Sequence, residues 1–72
     1  KNVVYSYERG ALINLTENTF QYQIYDITGR LMDDGPLYAS GVKEITGLSP
    51  GIYIITISNT YNLSYSKSIF IP

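Results

Sequence analysis

From Thr19 to Tyr25 the side chains alternate without a break: Phe20, Tyr22 and Ile24 on one side, Gln21 and Gln23 on the other. A period of two over that length fits a strand with one dry face and one wet face. Such a strand must be covered, and a chain of 72 residues has room for one small domain to do it. The single-domain reading therefore spans residues 1–72. The chain starts at Lys1 rather than Met, which reads as a piece of a longer protein with any export signal lying upstream.

The rest of the chain repeats the strand signal between turn residues. Val3–Tyr7 places Val3, Tyr5 and Tyr7 on one face. Ala11–Thr16 places Ile13 and Leu15 together. Asp26-Ile27-Thr28-Gly29 fits a type I turn, with the Asp26 carboxylate accepting a backbone N–H two residues on and Gly29 free to take a positive φ. Arg30–Met32 returns from it, and Asp33-Asp34-Gly35-Pro36 reads as a second break. Val42–Thr46 is a further short strand. Gly47–Gly51 is a loop whose Pro50-Gly51 pair fits a type II turn, with Leu48 plugging the end of the core. Ile52–Ser58 is apolar on both faces and reads as a central strand. Asn59–Asn62 turns the chain into a last strand, Leu63–Ile71, whose Leu63, Tyr65, Lys67, Ile69 and Ile71 share a face. Seven strands at this spacing predict an all-β fold, an immunoglobulin-like antiparallel β-sandwich. Eight tyrosines and few helix formers agree with it. The disulfide and core tryptophan of antibody domains are absent, so the label describes architecture alone.

Catalytic chemistry finds little to use. The chain has neither His nor Cys, which excludes His-based triads, thiol nucleophiles and the common zinc sites. The acids are Glu8, Glu17, Asp26, Asp33, Asp34 and Glu44, and a sandwich this small has little room for two carboxylates across a cleft. Asp33-Asp34 makes a poor calcium set and reads as a solvated turn. A net charge of −1 gives no basic patch for nucleic acid, and no apolar run approaches the ~18 residues of a membrane span. No cofactor is expected. Two glycosylation patterns, Asn14-Leu15-Thr16 and Asn62-Leu63-Ser64, carry little weight in so Asn- and Ser-rich a chain. Tyr5 with Tyr7, or Tyr61 with Tyr65, could stack on sugar as in a carbohydrate-binding accessory module, but core and sheet-face packing is the favoured reading, and the lack of tryptophan lowers the sugar reading further. A passive spacer is a third reading.

Three segments together resemble the C-terminal sorting domains of the type IX secretion system. These are Ile24–Met32 with Tyr25, Asp26, Gly29 and Arg30; Ile45–Ile57 with Leu48, Pro50, Gly51 and Tyr53; and Lys67-Ser68-Ile69-Phe70-Ile71. They fall in that family's order and spacing and span most of residues 11–71. The resemblance implies a non-catalytic label carried by proteins of Bacteroidetes-type bacteria. The folded label is recognised in the periplasm by the outer-membrane translocon and takes its cargo to the cell surface. In many members a sortase then removes it and joins the cargo to anionic lipopolysaccharide. The recognition residues so implied are Lys67, Ser68, Ile69, Phe70, Ile71 and Pro72, near the C-terminal edge; the other matched residues follow turn geometry. Where members often carry a Tyr-Pro-Asn-Pro segment, this chain has Tyr5-Ser6-Tyr7-Glu8, and no basic residue follows Phe70-Ile71. Both departures imply a domain retained on its parent protein. If Phe70 points away from the face shared by Ile69 and Ile71, it is an apolar handle on the outside.

Overall fold

The computed structural model describes residues 3–6, 10–59 and 64–72, Ser64 and Tyr65 by their backbone alone. Its seven strands are β1 (Val3–Ser6), β2 (Ala11–Asn14), β3 (Phe20–Asp26), β4 (Leu31–Leu37), β5 (Val42–Glu44), β6 (Gly51–Ser58) and β7 (Ser64–Ile71). They form two antiparallel sheets, one ordered β1-β2-β5 and the other β4-β3-β6-β7. Val3 and Leu12 from the first sheet meet Tyr22, Ile24, Ile55, Ile57 and Ile69 from the second in one buried core. This is the predicted sandwich, and it is compatible with the immunoglobulin-like plan.

The alternation of β3 and β6 decides the core. Phe20, Tyr22 and Ile24 face inward, as do Tyr53, Ile55 and Ile57. β6 is central, flanked by β3 and β7. Its second face is not covered, however: Ile52 is 54% exposed. A strand hydrogen-bonded on both sides can still have one face in water.

Three readings change. Asp33–Pro36 is not a break but the body of β4, paired to β3 with Gly35 opposite Tyr22 and Pro36 opposite Gln21. β4 is an edge strand, where proline is tolerated. The Asp26 N–H and C=O both bond toward the β4 side, to Arg30 and Gly29. Successive residues of a strand address opposite neighbours, so Gln21 bonds toward β6 and the Pro36 nitrogen faces the open edge, where no donor is required. The Tyr22 ring lies over Gly35, its Cε2 being 3.5 Å from where a Cβ would stand. The strand expected over Ala11–Thr16 ends at Asn14, so Leu15 lies beyond it, 66% exposed, while Leu12 enters the core. β5 also stops at Glu44, short of Thr46. Tyr7, Thr60, Tyr61, Asn62 and Leu63 lie outside the described residues.

Asn14 ends β2 and is 1% exposed. Its Nδ2 donates to the carbonyls of Asn18 at 2.7 Å, Tyr38 at 3.0 Å and Leu37 at 3.1 Å. Its Oδ1 accepts from the Thr16 N–H at 2.9 Å and the Thr16 hydroxyl at 2.7 Å. One side chain thus ties the β2–β3 loop to the end of β4, and so one sheet to the other. An amide engaged in this way is no glycosylation acceptor in the folded domain.

Tyr22 donates its hydroxyl to Asp33 Oδ2 at 3.2 Å. Burial, and then the Asp33 charge and this hydrogen bond, push its pKa up to about 12. The fold therefore favours the protonated phenol. That contribution is complete below the ordinary tyrosine value near pH 10 and is lost as pH rises through 12. Denaturant unfolding at pH 9, 11 and 12 should show this decline, and Tyr22→Phe should make it shallower. An unchanged decline in Tyr22→Phe would remove Tyr22 as its cause.

Candidate functional site

The first family-like segment is the β3–β4 hairpin. The Gly29 N–H donates to the Asp26 carbonyl at 3.0 Å, as a type I turn requires. Asp26 Oδ1 accepts from the Thr28 hydroxyl at 2.6 Å, the Thr28 N–H at 2.9 Å and the Arg30 N–H at 3.0 Å. The Thr28 hydroxyl bond, followed by the Arg30 N–H, holds the Asp26 carboxyl below the usual carboxylate range. Arg30 Nε lies 3.5 Å from Asp26 Oδ2 on an exposed surface, a contact worth little by itself. Gly29 has φ +90°.

The second segment closes a loop. Leu48 is half-buried against the core, as expected of a plug. The Tyr53 hydroxyl donates to the Ser49 carbonyl at 2.7 Å, so a buried ring latches the loop to the strand that follows it. The type II turn is not formed around Pro50-Gly51. Gly51 has φ +153° instead of the +80° that turn needs, and it opens β6 opposite Ile71. Gly47, at φ +80°, supplies the left-handed residue of the loop. Valine at Gly29 or at Gly51 should each destabilise the domain by about 2 kcal/mol, because both φ values lie where branched residues are strained. Thermal melts measure it; unchanged midpoints would contradict the backbone account.

The third segment is β7. Lys67 and Ser68 are exposed, Ile69 is buried, and Ile71 is half-buried against the core. Phe70 is 53% exposed and lies directly opposite Ile52 on the outer face. Pro72 is exposed beyond the strand. Phe70 thus points away from the face that Ile69 and Ile71 share.

Strand order brings the three segments to one end of the four-stranded sheet. Asp26, Tyr53 and Ile69 form a row across β3, β6 and β7. Next to them on the outer face stand Leu31, Tyr25 and Ile54 in one row and Ile52 and Phe70 in another. Beyond lies a polar half with Gln23, Thr56 and Ser66, where the Thr56 hydroxyl donates to Gln23 Oε1 at 2.5 Å. The sheet thus has an apolar end, which the sequence had assigned to burial through Ile52 and Ile54. The signal was present: both lie on the face opposite Tyr53, and both share that face with Phe70.

A family model described as the secretion system C-terminal sorting domain matches residues 9–72. The chain belongs to that family. No curated protein and no solved structure is significantly similar to it. The sorting domain is a type IX secretion signal, and the protein bearing it is exported to the cell surface or secreted. The structure draws the family-like residues into two groups. Asp26, Gly29, Arg30, Leu48 and Tyr53 hold turns and loops together, while Phe70 stands in the open with Ile52 beside it. Among the described residues no group of three acids assembles. Of the tyrosines considered for sugar stacking, Tyr5 is half-buried against the core. Tyr7, Tyr61 and the side chain of Tyr65 lie outside the described residues.

Proposed function

We propose that residues 1–72 act as one folded, non-catalytic label that the outer-membrane translocon of type IX secretion reads in the periplasm. The handle is the C-terminal strand from Lys67 to Pro72, with Phe70 its principal anchor. The observation that carries this reading is the exposure of Phe70 and Ile52 at the end of the sheet where the three family segments meet. Contiguous exposed apolar side chains mark interaction surfaces where scattered ones do not, and Phe70 and Ile52 stand side by side on neighbouring strands. The sortase reads the same label on the outside. Because the Tyr-Pro-Asn-Pro segment of many members is replaced by Tyr5-Ser6-Tyr7-Glu8, the domain stays on its parent protein and is not exchanged for anionic lipopolysaccharide.

The test fuses residues 1–72 to a periplasmic reporter in a strain competent for type IX secretion. The reporter should reach the cell surface at a mass that still includes the domain. A reporter confined to the periplasm would overturn the sorting role, and a surface form shortened by the domain would overturn retention.

A further inference from the structure

The two edges of the four-stranded sheet are built differently. β4 is guarded: it carries Asp33-Asp34, the Pro36 nitrogen faces outward, and its register with β3 shifts between Ile24 and Tyr25. Charged side chains, proline and bulges are how proteins keep stray strands from adding to an edge. The edge strands of the other sheet are only four residues (β1) and three residues (β5) long. β7 has neither a proline nor a bulge along its length, and Lys67 is its one guard. It runs for eight residues, pairs with β6 from Ser64 to Ile71 without a register shift, and has Lys67 as its one charge. Among the described residues no strand pairs with its other side.

The direction of the unpaired groups follows from the hairpin. Asp26 bonds toward β4, so Tyr25 and Gln23 bond toward β6. Their partners Ile54 and Thr56 therefore face β3, which leaves Tyr53, Ile55 and Ile57 to bond with Ile69, Lys67 and Tyr65. The N–H and C=O groups of Ser66, Ser68 and Phe70 consequently point to the open edge. Beside them, inside the sandwich, lies an apolar slot lined by Val3, Tyr5, Leu12, Ile55, Lys67 and Ile69.

We infer that β7 is the site of strand addition: an extended segment of the secretion apparatus pairs with the backbone of Ser66, Ser68 and Phe70 and extends the sheet to five strands. The side chains of such a strand alternate between the two faces. Those pointing inward lie over the slot and are apolar. Those pointing outward are apolar next to Phe70 and polar next to Ser66 and Ser68. Backbone pairing supplies affinity and the alternating side chains supply selectivity. The inference rests on the sorting role and specifies how the label is held.

Ser68→Pro removes one outward N–H and crowds the incoming strand while sparing the β6 ladder; Asp34→Ala alters an exposed side chain on the opposite edge, outside the handle. The measurement is binding of the exported protein, with Ser68→Pro and Asp34→Ala variants of unchanged thermal midpoint, to detergent-solubilised translocon, together with amide hydrogen exchange in β7. Ser68→Pro should weaken binding at least tenfold and Asp34→Ala should not, and the Ser66, Ser68 and Phe70 amides should exchange more slowly in the complex. Wild-type binding that Ser68→Pro leaves intact would overturn strand addition alone. An absence of binding by the wild-type protein would overturn the sorting reading with it. Self-association of the free protein that Ser68→Pro abolishes would assign the edge to a second copy of this chain and overturn the proposal.

Discussion

Replacing Asn14 with alanine is expected to destabilise the domain by about 3 kcal/mol, the largest loss of any single polar substitution in the fold. The side chain makes five hydrogen bonds at a position 1% exposed. The two Nδ2 protons are shared among three carbonyls, so the set counts as about four bonds of about 1 kcal/mol net each. Part of this is retained, because the Asn18 and Tyr38 carbonyls keep the Thr16 hydroxyl and the Gly41 N–H as donors. A domain of this size holds about 4–10 kcal/mol in total, and no disulfide supplements it, since the chain has no cysteine. A 3 kcal/mol loss should lower the thermal midpoint by about 12–24 °C. Aspartate is the sharper substitution. It keeps the shape and the Oδ1 acceptor, but turns a second oxygen toward the carbonyls of Asn18, Leu37 and Tyr38. Its loss should equal or exceed that of alanine. Thr16→Val, which removes a hydroxyl bound to Asn14, should cost about 1 kcal/mol. Calorimetry or urea melts that place Asn14→Ala within 1 kcal/mol of wild type would show that the tie between the sheets is unimportant.

Deleting Lys67 to Pro72 is expected to abolish export, for two separable reasons. The deletion takes Ile69 out of the core and strips β6 of most of its partner strand. Burial of one isoleucine is worth about 1.5–3 kcal/mol, and the exposed length of β6 adds to the loss, so the shortened domain should unfold or open. It also removes the proposed handle. The deletion by itself cannot divide these effects, but Phe70→Ser can. Phe70 is 53% exposed, and its substitution leaves Ile69 and the backbone pairing in place. Exposed substitutions usually shift stability by about 0.5 kcal/mol, and loss of the cross-strand contact with Ile52 brings the cost to about 1 kcal/mol. Phe70→Ser should therefore melt within several degrees of wild type and still lose most of its export. Ile52→Ser, across the ladder, should follow it to a lesser degree.

The parts of the fold with a strict period were legible in the sequence. Phe20, Tyr22 and Ile24 declare the inner face of β3, and Asp26 with Gly29 declares the turn after it. Elsewhere local chemistry misled. Gly35-Pro36 has the composition of a turn, yet the Pro36 nitrogen faces an open edge and the Tyr22 ring covers Gly35, so a strand passes through. Ala11-Leu12-Ile13 is an apolar run with no period, and nothing local says that Leu12 is the residue turned inward. Asn14 looks like a surface residue in a polar segment. Its burial becomes apparent only when Leu37 and Tyr38, more than twenty residues later, are brought against it. The exposure of Ile52 was hidden in the same way. An apolar side chain on a central strand suggests cover on both faces, and whether a second layer exists is decided by strand order, which local sequence does not encode.

The most direct test of the sorting account is the surface-to-periplasm ratio of a reporter bearing residues 1–72, compared between wild type and Phe70→Ser at matched thermal midpoints. The account predicts a reporter on the surface for the wild type and retained in the periplasm for Phe70→Ser. Equal surface display by the two, with both folded, would contradict the claim that the outward face of the last strand is what the secretion machinery reads.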